Sequence, residues 1–258
     1  MAFRTDGSTH KDGVKNEGAL EEKLKRGLAL DIYPDLDDDF KVVRRGGTQY
    51  KQDVEVNDSS ASRHISAKHK KKGISKGSFD YANISAISGY EVFSPFRNEV
   101  KSLKKSSQPT EKVRDIISAA AHEALREVNS ETLSDILKKN VNEKNKDMTM
   151  IVSDGETHKD YVFNFADTPL YQAIRDYRPE LSVKSGCTSG KILFYDANGE
   201  EFDHGLRGRL ALNNGVNALL GRSKSNKTSS AVFKIQQDKV DVMLAGIEKI
   251  QIFGGNDE

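Results

Sequence analysis

The residues whose types and spacing suit chemistry are Asp53, Ser66 and Lys68. They fall in two stretches, residues 49–56 and 63–72, each with the alternation of a β-strand. Alternation puts Lys51, Asp53 and Glu55 on one face of the first strand, with Val54 and Val56 on the other. In the second, His64, Ser66 and Lys68 share a face, and Ile65 and Ala67 the opposite one. If the strands are neighbours, an acid on one lies beside a lysine on the other. Cutting a phosphodiester needs a deprotonated water and compensation of the charge that builds on phosphorus and the leaving oxygen. Asp53 can hold Mg²⁺, a hard ion that prefers oxygen ligands. The backbone carbonyl of Ala67 can add a ligand, and Lys68 can orient or deprotonate the water or stabilise the developing charge.

The elements around these residues must bring them together. Asp12 is placed to cap a helix that runs to about Leu28, with Val14, Leu20, Leu24 and Leu28 as its apolar stripe. Glu17 falls inside that stripe and Glu21 close by; an inward carboxylate is costly unless it is partnered. Either one of them faces the Asp53/Lys68 pair, or both sit at the stripe's edge in ordinary ion pairs. Pro34 and the acidic run 35–39 end the helix and form a solvated connection. Residues 40–44 read as a short strand, and Gly46-Gly47 as a hairpin turn into the strand that carries Asp53.

From Arg63 to Gly77 there is no acid and there are six Lys or Arg. Lys70, Lys71, Lys72 and Lys76 are therefore candidates for phosphate contacts. Residues 110–128 and 131–141 read as helices, with His122 on the solvent face of the first. The polar break 142–146 marks a boundary between a catalytic part, 1–141, and a mixed part, 142–258, that completes the sheet, unless the two are one domain. Beyond it, strands are expected at 148–152, 161–165, 191–195, 207–212, 231–235 and 247–253, and helices at 169–176, 216–220 and 238–245. Turn residues there carry side chains able to read base edges or hold phosphates: Arg207, Arg209, Asn213, Asn214, Arg222, Lys224 and Lys227. The alternating patterns predict an α/β (α+β) fold with a central mixed β-sheet flanked by helices.

Composition bounds these readings. Hydrophobic content of 36% and charged content of 31% describe a polar but foldable chain, and a net charge of +1 leaves only local patches to attract nucleic acid. One cysteine, Cys187, excludes an internal disulfide framework and cysteine-rich zinc sites, and suits a reducing, cytoplasmic setting. No apolar run has the length of a membrane span, so no membrane partner is expected. Walker loops, nucleophile elbows and HExxH are all absent.

An acid at the end of one strand, a polar-x-Lys triplet (Ser66-Ala67-Lys68) on the next, and a Glu-bearing helix upstream resemble the PD-(D/E)xK nuclease superfamily. Residues 11–17 are similar to the opening helix of small type II restriction endonucleases that cut four-base sites. The resemblance covers roughly the first 80 residues. It matches Glu17 to the family's helix carboxylate, Asp53 to its metal-binding Asp, and Lys68 to its catalytic Lys. It departs at Gln52, where the family has Pro, and at Ser66, where most members have Glu or Asp. What it implies is a restriction-endonuclease-like core and Mg²⁺-dependent cleavage of double-stranded DNA at a short sequence. The catalytic residues would be Glu17, Asp53, Ser66 and Lys68, and the metal would lie on Asp53, Ala67 and Glu17. It further implies a homodimer on DNA and a companion methyltransferase in the same bacterial or virus-infected cell. The rival expectations are a repair or junction-resolving nuclease of the same superfamily, and a DNA-binding protein without catalysis.

Overall fold

The computed structural model describes residues 8–45, 52–70, 78–84, 89–212, 215–223, 229–236 and 239–254. The strands are β1 (Lys41–Arg44), β2 (Val54–Asn57), β3 (Ser62–Lys70), β4 (Ser78–Ile84), β5 (Met148–Asp154) and β6 (Lys159–Asn164). They continue as β7 (Arg178–Val183), β8 (Ser189–Tyr195), β9 (Glu201–Phe202), β10 (Leu206–Leu212), β11 (Ser229–Gln236) and β12 (Gln251–Gly254). The helices are α1 (Ser8–Lys23), α2 (Ala29–Ile32), α3 (Ser94–Ser102), α4 (Thr110–Arg126) and α5 (Ser130–Leu137). After them come α6 (Glu143–Asn145), α7 (Pro169–Asp176), α8 (Gly215–Leu219) and α9 (Val240–Ala245). The fold is mixed α+β: a six-stranded mixed sheet, a second sheet, and flanking helices. Among the described residues no helix is long and apolar enough to cross a membrane.

The chain divides into two compact units, and one of its crossings falls at 143/144, inside the expected break, but the units are interleaved and not the two continuous parts 1–141 and 142–258. The first gathers residues 1–77, 144–168 and 244–258; the second gathers 78–143 and 169–243. The expected boundary segment is instead helical: a π turn over 138–142 leads into α6, and Asn140, Asn142 and Asn145 are buried there. The side-chain N–H groups of Asn140 and Asn142 are partnered there. Asn140 Nδ2 donates to Tyr90 Oη and Ile136 O, and Asn142 Nδ2 donates to Tyr171 O.

In the first unit the sheet order is β1-β2-β3-β5-β6-β12. Every neighbouring pair is antiparallel except β3 and β5, which run parallel. The core lies on one face, where Val54, Val56, Ile65, Ile151 and Val162 meet Leu20 and Leu24 from the helical segment and Ala29 and Ile32 of α2. The helix is longer than its apolar stripe predicts and begins at Ser8, so Asp12 stands inside it and is not its cap. After Lys23 it passes through a π turn, where Gly27 takes φ 132°, a conformation open to glycine and costly for other residues. Arg63 ties down the expected solvated connection: it holds Asp35 at 2.9 Å and Asp58 at 2.7 Å, over the ring of Tyr33.

In the second unit the sheet is antiparallel throughout, in the order β4-β11-β10-β8-β7, with β9 paired to β8. β4, β7 and β9 are additions to the expected list of strands, and α3 to that of helices. Helices α4 and α5 pack on this sheet, burying Val113, Ile117, Ala124, Leu133, Ile136 and Leu137. His122, expected on the solvent face, is half-buried, with Nδ1 3.1 Å from Cys187 O.

Candidate functional site

The register of β2 and β3 sets Val54 opposite Ile65 and Glu55 opposite His64. Both pairs obey the alternation read from the sequence: Val54 and Ile65 enter the helix-covered core, and Glu55 and His64 lie on the other face. Asp53 is the residue at the mouth of β2. Its N–H donates to Ile65 O at 2.9 Å, and its carbonyl accepts from Arg45 N at 2.9 Å, so its backbone is held from both sides. Residues 49–51, expected to begin this strand, lie outside the described residues.

Three side chains and one backbone group converge there. Asp53 Oδ2 accepts from Ala67 N at 2.7 Å and from Ser66 Oγ at 3.2 Å. Lys68 Nζ donates to Ser66 Oγ at 2.8 Å and stands 3.8 Å from Asp53 Oδ2. Ser66 is 2% exposed, whereas the side chains of Asp53 and Lys68 keep 23% and 16% of their surface. Asp53 Oδ1 makes no hydrogen bond to the described residues. In an extended strand the N–H and C=O of one residue point to the same edge, so the Ala67 carbonyl opens on the edge where Asp53 stands.

The neighbours on this face are already engaged. Glu55, which could have replaced the missing second acid, is 8% exposed; it accepts from Arg45 Nε at 2.5 Å and lies 3.7 Å from His64 Nε2. Lys70, two residues beyond Lys68, sits opposite Asp154 of β5 and pairs with it at 3.2 Å. Burial alone would raise the Asp154 carboxyl. The N–H groups of Glu156 and Thr157 and the Lys70 ammonium overcome that and hold it below the usual carboxylate range. Lys70, expected to meet a phosphate, therefore has its ammonium on a buried acid of its own sheet.

Glu17 approaches from elsewhere. It lies one turn before Leu20 on α1, the helix that covers the Val54/Ile65 face, and is half-buried. Asp53, Ser66 and Lys68 project from the opposite face, so a Glu17 carboxylate reaches them only around the end of β2. Glu21 is paired with Lys25 at 2.6 Å. Among the described residues no group of three or more His, Cys, Asp or Glu side chains is arranged to hold a metal ion. What the site offers a cation is one carboxylate oxygen and one carbonyl. That set suits Mg²⁺, which retains several waters and accepts one or two carboxylates together with substrate phosphate.

The other expected contacts divide into three groups. Lys71, Lys72, Lys76, Asn213, Asn214, Lys224 and Lys227 lie outside the described residues. Arg207 and Arg209 are on one face of β10, Arg207 directly between Lys191 of β8 and Lys234 of β11, and Arg209 between Ser189 and Val232. Arg222 is turned onto the start of α4, donating to Thr110 Oγ1 and to Gln108 O, so it anchors its own turn. The sequence reading missed Asp154. Its only signal would have been the parallel pairing of β3 with a strand almost eighty residues further on.

No family model matches this chain, and neither a curated protein nor a solved structure matches it.

Proposed function

We propose that this chain is a metal-dependent phosphodiesterase acting on nucleic acid. More particularly, we take it to be an Mg²⁺-dependent endonuclease of double-stranded DNA, of the type II restriction kind, that cuts at a short sequence. The observation that carries the reading is the meeting of Asp53, Ala67 and Lys68 at the mouth of β2, with Ser66 between the acid and the lysine. Asp53 Oδ1 and the Ala67 carbonyl would hold the ion, which supplies charge compensation at the phosphate and a more acidic water. Lys68, part-exposed beside them, orients that water and offsets negative charge on the phosphorane. Ala67 N and Ser66 fix Oδ2 and leave Oδ1 without a hydrogen bond to the described residues.

The test is digestion of plasmid and phage DNA of varied sequence with Mg²⁺ or Mn²⁺, followed by sequencing of the fragment ends. Discrete fragments are expected. Nicks confined to branches or ends would favour a repair or junction-resolving role, and intact DNA under all these conditions would end the enzyme reading. A second reading, a DNA-binding protein without catalysis, draws on one observation: the neutral Ser66 stands where a second acid would be expected.

A further inference from the structure

We propose that Ser66 is a positioning residue that makes this a one-ion site, replacing a second metal-binding carboxylate with a hydrogen-bond relay from Lys68 to Asp53. The inference rests on the nuclease reading above and deepens it.

The direction of the relay follows from valence. A lysine ammonium has hydrogens to give and no lone pair, so in the 2.8 Å contact Lys68 Nζ donates and Ser66 Oγ accepts. The single hydroxyl hydrogen is then left for Asp53 Oδ2, 3.2 Å away. Ser66 is 2% exposed, so solvent does not compete for either contact and the hydroxyl is held in one orientation. The direct Lys68–Asp53 separation, 3.8 Å, is too long for a hydrogen bond, so the two are coupled through Ser66.

The relay also decides how Asp53 can bind. Oδ2 takes two donors, Ser66 Oγ and Ala67 N, while Oδ1 is left for an outside partner. A carboxylate engaged in this way is a one-oxygen ligand for one cation. A carboxylate at position 66 would stand about 3 Å from Oδ2, and two such groups do not both ionise at that distance without a cation between them. Serine removes the second charge and with it the need for a second ion. It also holds the Lys68 ammonium 3.8 Å from Asp53 Oδ2, short of a direct hydrogen bond.

The experiment is calorimetric titration of Mn²⁺ into the full chain, alone and with duplex DNA, beside single-turnover cleavage. Wild type is expected to bind one Mn²⁺ per chain, Asp53→Asn none, and Ser66→Asp two. Ser66→Ala should keep one Mn²⁺ yet lose about 10–100-fold in single-turnover rate with little change in DNA affinity. Ser66→Thr, which keeps the hydroxyl, should recover most of that rate. Two ions on the wild type, or a Ser66→Ala variant as fast as wild type, overturns the inference and leaves the nuclease reading standing. A wild type that binds no Mn²⁺ and cuts no DNA overturns both. Should Ser66→Asp fail to fold, the wild-type stoichiometry and the Ala/Thr pair still decide it.

Discussion

The first sheet carries two clusters of the same three residue types, one on each face. On the helix-covered face Asp160 is in the middle: Ser153 Oγ donates to its Oδ1 at 2.6 Å and Lys23 Nζ to its Oδ2 at 2.6 Å. On the other face Ser66 is in the middle, between Lys68 and Asp53. The order of the three groups decides what each cluster can do. With the acid central, both of its oxygens are consumed, and the cluster pins the last turn of α1 to the junction of β5 and β6. With the serine central, the acid and the lysine are held 3.8 Å apart and the acid keeps one oxygen. The first arrangement serves stability and the second leaves charge exposed for a ligand. Lys70–Asp154 is a third case, a direct pair at 3.2 Å with no serine, which again consumes the lysine.

The contrast can be broken most sharply at the open cluster. Lys68→Ala and Asp53→Ala are each expected to lower Mg²⁺-dependent cleavage about a thousandfold. DNA affinity by anisotropy should stay within a few-fold and the urea midpoint close to wild type. The closed cluster should answer in the opposite sense. Lys23→Met leaves Asp160, 5% exposed, without its cation; because Lys23 itself is half-exposed, we expect a loss of about 2 kcal/mol in urea unfolding. Cleavage per folded molecule should be unchanged. Asp160→Asn should cost less, about 1 kcal/mol, and adding it to Lys23→Met should restore part of the loss, since no buried charge remains to be compensated. The smallest effect belongs to Asp154. Its carboxyl titrates below the usual carboxylate range, so its contribution is present above about pH 4 and is lost as pH falls through its lowered folded value. Asp154→Asn should flatten the acid limb of the stability–pH curve, read by thermal melts between neutral pH and pH 3.

What could be read in advance follows from what each signal encodes. Alternation along residues 53–56 and 63–68 is a local property, and it correctly assigned Val54 and Ile65 to one face and Glu55 and His64 to the other. A helix stripe places Glu17 relative to Leu20 and Leu24 but says nothing of which sheet face that stripe will cover, and the face it covers is the one Asp53 does not use. The run 142–146 read as a break because asparagine is usually a surface residue. The burial of Asn142 there depends on Tyr171, a distant partner that no local window contains. Strand β4 was hidden behind the basic, glycine-bearing stretch before it. Lys70 read as one of a series of phosphate-contacting lysines, and only the register of β3 against β5 reveals the acid beside it.

The path of the chain between its two units has a consequence for how the protein must be made. The backbone passes from one unit to the other near residues 77, 143, 168 and 243, so neither is a continuous stretch. During synthesis β2 and β3 emerge early, but their parallel neighbour β5 follows only after the helices α3 to α5. The outer strand β12 comes later still, after nearly all of the second unit. Pairing over such separations must meet a large loop-closure cost before any contact compensates for it, which slows folding and leaves strand edges open to unwanted partners in the meantime. A nascent chain halted before residue 250 would carry Asp53, Ser66 and Lys68 on a sheet still missing its outer strand. Stalled nascent chains of increasing length, probed by pulse proteolysis, should therefore gain protection in one late step and not unit by unit.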